Sequence, residues 1–195
     1  MEKNAVKIDS RWKLLIELSK DISGRWTVPI LVSINVNGDR FTPLQTKTGA
    51  APARLSENLK KMCDAGLLHH ISPYERRHPL LPEYILTEKG LLYRDIALAV
   101  YYTSEKTNQK DSLYKEWNLP IVFSILNNKN RFQEIKNELI TITSKTLSAR
   151  LNELQAKEVI NKEVISLSPV ITNYILTDGY YKPVKGLAED ILSII

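Results

Sequence analysis

Arg54, Ser56, Asn58 and Lys60, preceded by the small Ala53, share one short stretch with Leu55, Leu59, Met62 and Cys63. On a helix the apolar residues form one buried stripe and the polar ones fall on the other faces. Such a polar face carries groups that read nucleic-acid bases. An arginine can span guanine O6 and N7, and an asparagine can pair with adenine N6 and N7. A second stretch, Ser144, Lys145, Thr146, Ser148 and Arg150 around Leu147 and Leu151, repeats the arrangement. Thr143 before it is a good helix cap, and the amides at such an end suit a phosphate. A third group, Arg76, Arg77 and His78, sits in a loop bounded by Pro73 and Pro79. Two arginines at a loop tip suit phosphates or the minor groove. The same residue types also make ordinary solvated surface, so the elements that carry them decide the reading.

Other chemistries find less support. His69, His70 and His78 lie close together, but adjacent strand residues point to opposite faces, which argues against a shared metal. Cys63 falls on the apolar stripe and reads as core rather than as a redox sensor. A single cysteine excludes an intramolecular disulfide and a cysteine-based zinc site. No glycine-rich phosphate loop, His-Glu-x-x-His or nucleophile elbow occurs, so neither an enzyme nor a cofactor is expected. The 27 basic and 22 acidic residues leave a net charge of +5, compatible with a nucleic-acid partner without demanding one. No apolar run approaches the roughly 18 residues of a membrane span, and Met1 to Asp9 lacks the apolar core of a secretory signal. The expected setting is cytoplasmic, with no membrane partner.

The chain repeats itself. Trp26, Pro29, Ile30, Ser33 and Ile34 recur as Trp117, Pro120, Ile121, Ser124 and Ile125, each 91 residues on. Arg40-Phe41 recurs as Arg131-Phe132 at the same spacing, and Leu44 falls on Ile135. After one inserted residue, Leu55-Ser56 and Leu59 match Leu147-Ser148 and Leu151, and Met62 falls on Leu154. Tyr84-Ile85-Leu86-Thr87 then matches Tyr174-Ile175-Leu176-Thr177. Four blocks in one order point to a duplicated domain. Residues 103–112 are polar throughout and read as a linker between a first domain at 8–102 and a second at 113–195.

Within the first copy, Trp12, Leu15, Leu18 and Ile22 predict a helix over 10–22, and Trp26 to Ile34 predict another. Thr42, Pro43 and Gln45 read as the cap, first position and box residue of a short helix that Thr48-Gly49 stops. A longer helix starts near Pro52 and closes at Gly66. Leu67–Ser72 and Glu83–Thr87 read as a hairpin around the basic loop. Thr87 caps a last helix with Leu92, Ile96, Ala99 and Val100 aligned. The second copy's hairpin, Asn161-Lys162-Glu163 to Ser166-Leu167-Ser168-Pro169, offers only Lys162. The expected fold is mainly α with small β-hairpins (α+β): two tandem winged-helix domains, each a helix-turn-helix with a wing.

Gly24-Arg25-Trp26, Asp39-Arg40-Phe41-Thr42-Pro43-Leu44, Leu55 through Leu68, and Tyr84-Ile85-Leu86-Thr87-Glu88-Lys89-Gly90 together resemble the HxlR-type winged-helix transcription regulators. The second copy resembles the pattern more faintly: Glu116 takes the basic position, Glu158 the closing glycine, and Gly179 is one place out of register. The resemblance implies double-stranded DNA as partner, with Arg54, Ser56, Asn58 and Lys60, and Ser144, Lys145, Thr146, Ser148 and Arg150, facing the major groove. Arg76, Arg77 and His78 would then touch the backbone or minor groove. It also implies pairing through terminal helices. The duplication allows a homodimer of tandem chains or a monomeric pseudo-dimer. The competing reading is a tandem winged-helix protein-interaction module, of the kind that loses its basic wing and basic recognition face.

Overall fold

The computed structural model describes residues 2–75, 78, 81–107, 112–167 and 170–195, and the side chains of these except residues 2–9, 167 and 170. They form two compact units. One holds Gly24–Tyr101; the other holds the N-terminal helix with Tyr102–Ser193.

In the first of these units, α2 (Thr27–Ser33) packs on α3 (Phe41–Thr48), and α4 (Pro52–Asp64) packs on strand β1 (Leu68–His70). Strand β1 pairs antiparallel with β2 (Tyr84–Leu86), placing Leu68 opposite Leu86 and His70 opposite Tyr84. Asp39 bridges to Tyr84 on the other edge of β2, so β1 is the outer strand. The core includes Ile30, Leu31, Leu44, Leu55, Leu59 and Ile96, each without solvent contact, and the buried Leu86. Helix α5 (Glu88–Lys106) follows.

Two features of this unit answer sequence expectations. The Thr87 hydroxyl donates to the Gly66 carbonyl (2.7 Å) and accepts the Gly90 amide (2.9 Å), so it caps α5 and ties it to the end of α4. Gly90 lies so close to the strand entry that a Cβ there would stand 2.0 Å from the Leu67 carbonyl oxygen. That approach is the physical reason a glycine closes the Tyr-x-Leu-Thr-x-x-Gly segment. The buried stripe of α5 is Tyr93, Ile96, Ala97 and Val100; Leu92 and Ala99 are half-buried.

The start of α3 corrects the sequence reading. Its cap is Arg40, with no side-chain bond from that residue, and Thr42 lies inside the helix. The free amide of Phe41 is instead satisfied by the Glu83 carboxylate at 3.1 Å, from 42 residues away. A local capping box cannot be told from a long-range one by local sequence.

The second unit repeats the pattern: α6 (Asn118–Leu126), α7 (Phe132–Glu138), α8 (Ser144–Ala156), β3 (Ile160–Leu167), β4 (Val170–Leu176) and α9 (Asp178–Ile194). The hairpin is longer and carries a bulge between Val164 and Ser166. The Tyr174 amide donates to the Asn130 carbonyl (2.8 Å), matching the Asp39–Tyr84 bridge. Helix α7 is capped locally, because the Glu134 carboxylate accepts from the Arg131 (3.0 Å) and Asn130 (3.1 Å) amides.

Two boundaries differ from expectation. Helix α1 (Glu2–Asp21), read as part of the first domain, belongs to the unit of the second repeat, where it packs on α6. Helix α6 is buried from Asn118 to Ile125, and a helix apolar all round needs cover on more than one side. Leu15, Ile16 and Ile22 are themselves buried, and the Arg11 guanidinium donates to the Leu192 carbonyl of α9. The expected linker is also partly helical. Helix α5 runs through Lys106, with Thr103 and Ser104 buried, and Ser112 is fully buried with its carbonyl accepting from Asn118 (2.7 Å). Thr103, Ser104 and Ser112 are buried although polar, so polarity alone misplaced them. Asn108–Asp111 lie outside the described residues. Among the described residues no helix is long and apolar enough to cross a membrane.

Candidate nucleic-acid interface

Helix α4 is built to turn a polar face outward. Pro52 occupies its first position, and Leu55, Leu59 and Met62 are buried at helical spacing. Ala53, Arg54, Ser56 and Lys60 are therefore exposed, and Asn58 is half-buried. The Asn58 amide nitrogen donates to the Arg54 carbonyl (2.7 Å), which occupies one of its two N–H donors. Arg54 is 67% exposed and donates to Glu57 at 3.1 Å, and Lys61 donates to the same carboxylate at 2.9 Å. The hydrogen bonds from Lys61 and then Arg54 hold the Glu57 carboxyl below the usual glutamate range. The face is therefore a cation, an anion and a cation along one side, not a uniform basic strip. Glu57 has no part in the base-reading set inferred from sequence, although its spacing of three from Arg54 and four from Lys61 is the signal for such pairs.

Helix α8 is organised differently. Thr143 is its cap: its hydroxyl oxygen accepts the Thr146 amide at 3.1 Å and lies 2.8 Å from the Thr146 hydroxyl. Ser144, Lys145 and Ser148 are exposed, while Thr146 and Arg150 are half-buried. Arg150, 29% exposed, donates to Glu153 at 2.6 Å. Lys115 binds the same carboxylate, and Lys157 stands 4.0 Å away. Partial burial pushes the Glu153 carboxyl up, but Lys115 and Arg150 outweigh it and the net displacement is downward. Arg150 is thus tied to the fold rather than presented.

The first wing presents His78, which is exposed; Arg76 and Arg77 lie outside the described residues. Ahead of them the Glu75 amide donates to the Ser72 carbonyl (3.0 Å), and the Glu75 carboxylate accepts the Ser72 amide (2.8 Å). This doubly bonded turn leaves Tyr74 99% exposed, a ring the sequence alone did not single out. The second wing carries exposed Val164 and Ile165 beside Lys162. Cys63 is half-buried and free, and burial, then the nearby Asp64 charge, pushes its thiol up, away from reactivity. His69 and His70 are both exposed on β1, and the His70 ring lies 4.8 Å from Tyr84.

This doubled arrangement of short helix, turn, outward-facing helix and hairpin coincides with two successive matches to the HxlR-like helix-turn-helix family, over residues 21–110 and 112–182. The chain belongs to that family. YvaP of Bacillus subtilis (strain 168), an uncharacterized HTH-type transcriptional regulator, is 43% identical over 68 residues, or 35% of this chain and 63% of that one. The HTH-type transcriptional regulator YodB of the same strain is 35% identical over 66 residues, 34% of this chain and 59% of its own. The crystal structure of diamide-treated YodB is 30% identical, with a TM-score of 0.36, covering 40% of this chain and 77% of that one. The chain spans about three fifths of the length of the curated relatives it matches.

Proposed function

We propose that this HxlR-like chain is a transcription regulator that binds double-stranded DNA mainly through its first repeat. Helix α4 enters the major groove and the first wing lies along the backbone or minor groove. The observation that carries the reading is the outward face of α4, where Arg54, Ser56 and Lys60 stand exposed over a fully buried apolar stripe. Helix α8 supports a lesser role for the second repeat, because Arg150 is half-buried and Lys145 is the exposed cation near its start. Ser144, Lys145, Thr146 and Ser148 then position that repeat through phosphates rather than bases.

A titration of random-sequence duplex at two salt concentrations tests this, comparing the wild type with an Arg54→Ala/Arg76→Ala/Arg77→Ala variant. Losing three phosphate or groove contacts lowers the salt slope by about 3, since each contact contributes about 0.9. A wild type that does not bind at low salt sinks the reading. Light scattering on the same samples separates a one-chain species, in which the duplicated repeats act as a pseudo-dimer, from a homodimer of tandem chains.

A further inference from the structure

We propose that Glu57 is a positioning residue that sets the base specificity of α4: it holds Arg54 in one orientation and suppresses indiscriminate attraction to phosphates. The inference rests on the DNA-reading role of α4 proposed above.

The geometry is a clamp. One carboxylate takes Arg54 through Nη1 and Lys61 through Nζ, one turn away on either side. All three side chains are exposed, and exposed pairs of this kind contribute little to stability. The fold therefore has little use for Glu57, and its effect falls on what the face meets. A carboxylate in the middle of a surface that approaches phosphates opposes binding to every duplex equally. It compensates only where Arg54 finds its base. An arginine has five N–H donors in a rigid fork. With Nη1 on Glu57, the Nε and Nη2 donors are left for the two acceptors of guanine, and the side chain has less rotamer freedom to lose. Opposing all partners while aligning one contact is how a binding face gains selectivity.

The second repeat lacks the device. Ala149 stands at the Glu57 position, Thr146 at that of Arg54 and Glu153 at that of Lys61. Its acid is turned to Lys115 and Arg150, within the fold. An acid among outward-facing cations thus distinguishes α4 from α8.

The test uses the full chain as wild type, Glu57→Gln, Arg54→Ala and the double variant. Each is titrated with random-sequence duplex at two salt concentrations, and each is used to select from a random duplex pool. Glu57→Gln is expected to bind random duplex several-fold more tightly. Its salt slope should steepen by about 1 to 2, as one or both freed cations reach phosphates. Its selected pool should lose the preference at one position that the wild-type pool shows. In the Arg54→Ala background the same substitution should leave the selected sequence unchanged. Thermal unfolding of Glu57→Gln should match the wild type, separating this effect from folding. Unaltered affinity, slope and base preference in Glu57→Gln would overturn the inference while leaving DNA binding intact. So would a preference that Glu57→Gln alters equally without Arg54. No wild-type binding at low salt overturns the reading of α4 itself, a distinct failure.

Discussion

The two repeats follow the same path with opposite local chemistry at their turns. Among the described residues, the glycines in the left-handed region are Gly24, Gly38, Gly49 and Gly66, all in the first repeat. The other residues there are Trp117, Asn128, Ile140 and Glu158, all in the second. Two pairs correspond directly: Gly49 (φ 66°) with Ile140 (φ 40°), and Gly66 (φ 70°) with Glu158 (φ 56°). A β-branched residue in this region costs on the order of 1–3 kcal/mol and persists only where its surroundings over-determine it. Helices α7 and α8 supply those surroundings, through Ile135, Leu139, Leu147 and Leu151, all buried. Local preference and tertiary demand agree in the first repeat; in the second the tertiary demand prevails. The same contrast runs through the charges, with the acid of α4 exposed among cations and the acid of α8 drawn into the fold.

That contrast can be broken experimentally, most forcefully at the glycines that open the last helix of each repeat. Gly90→Ala is expected to cost about 3 kcal/mol, because its Cβ has no room beside the Leu67 carbonyl. Gly179→Ala meets nothing within 4 Å and should be neutral or gain up to about 1 kcal/mol from helix propensity. Urea unfolding measures both, and equal losses would refute the packing argument. Next, Ile140→Gly should stabilise by about 1 kcal/mol, since that side chain is 78% exposed and its backbone strain is relieved. Gly49→Ala should lose a similar amount, about 1 kcal/mol, from strain alone. If Ile140→Gly destabilises instead, the isoleucine makes a contact that outweighs its strain.

An effect of similar size is read at the acid of α8 by pH. The Glu153 carboxyl is depressed in the folded state, so its stabilisation is present above the ordinary glutamate range and is lost as pH falls through the folded value. Glu153→Gln should cost about 1 kcal/mol near neutral pH, with the gap to wild type closing on acidification. A gap that persists at acid pH would assign the loss to packing rather than charge. Smallest of all, Arg150→Ala should leave the salt slope of DNA binding unchanged, whereas Lys145→Ala lowers it by about 1. A slope that falls equally for both would place Arg150 on the DNA.

Much of this architecture was legible from residue patterns, for identifiable reasons. The stripe of Leu55, Leu59 and Met62 specifies which face of α4 is outward, because helical periodicity is local. Thr143 and Thr87 act as caps because a hydroxyl next to free helix amides has few better uses. The cap of α3 was not legible, since its acceptor, Glu83, comes from the far side of the hairpin. Nor was the half-burial of Arg150, which matches Asn58 by position and whose helical neighbour Glu153 is also bound by Lys115, 38 residues before it.

By itself, the sequence determined the duplication, the order of helices and hairpins, and the faces they bury. These depend on period, turn chemistry and capping, which neighbours in the chain supply. The tertiary structure alone decided that α1 covers α6, that Ile140 and Glu158 adopt left-handed backbone, and that Lys115 meets Glu153 from 38 residues away. Those outcomes depend on which apolar surface remains uncovered and which charges meet, and residues remote in sequence settle both.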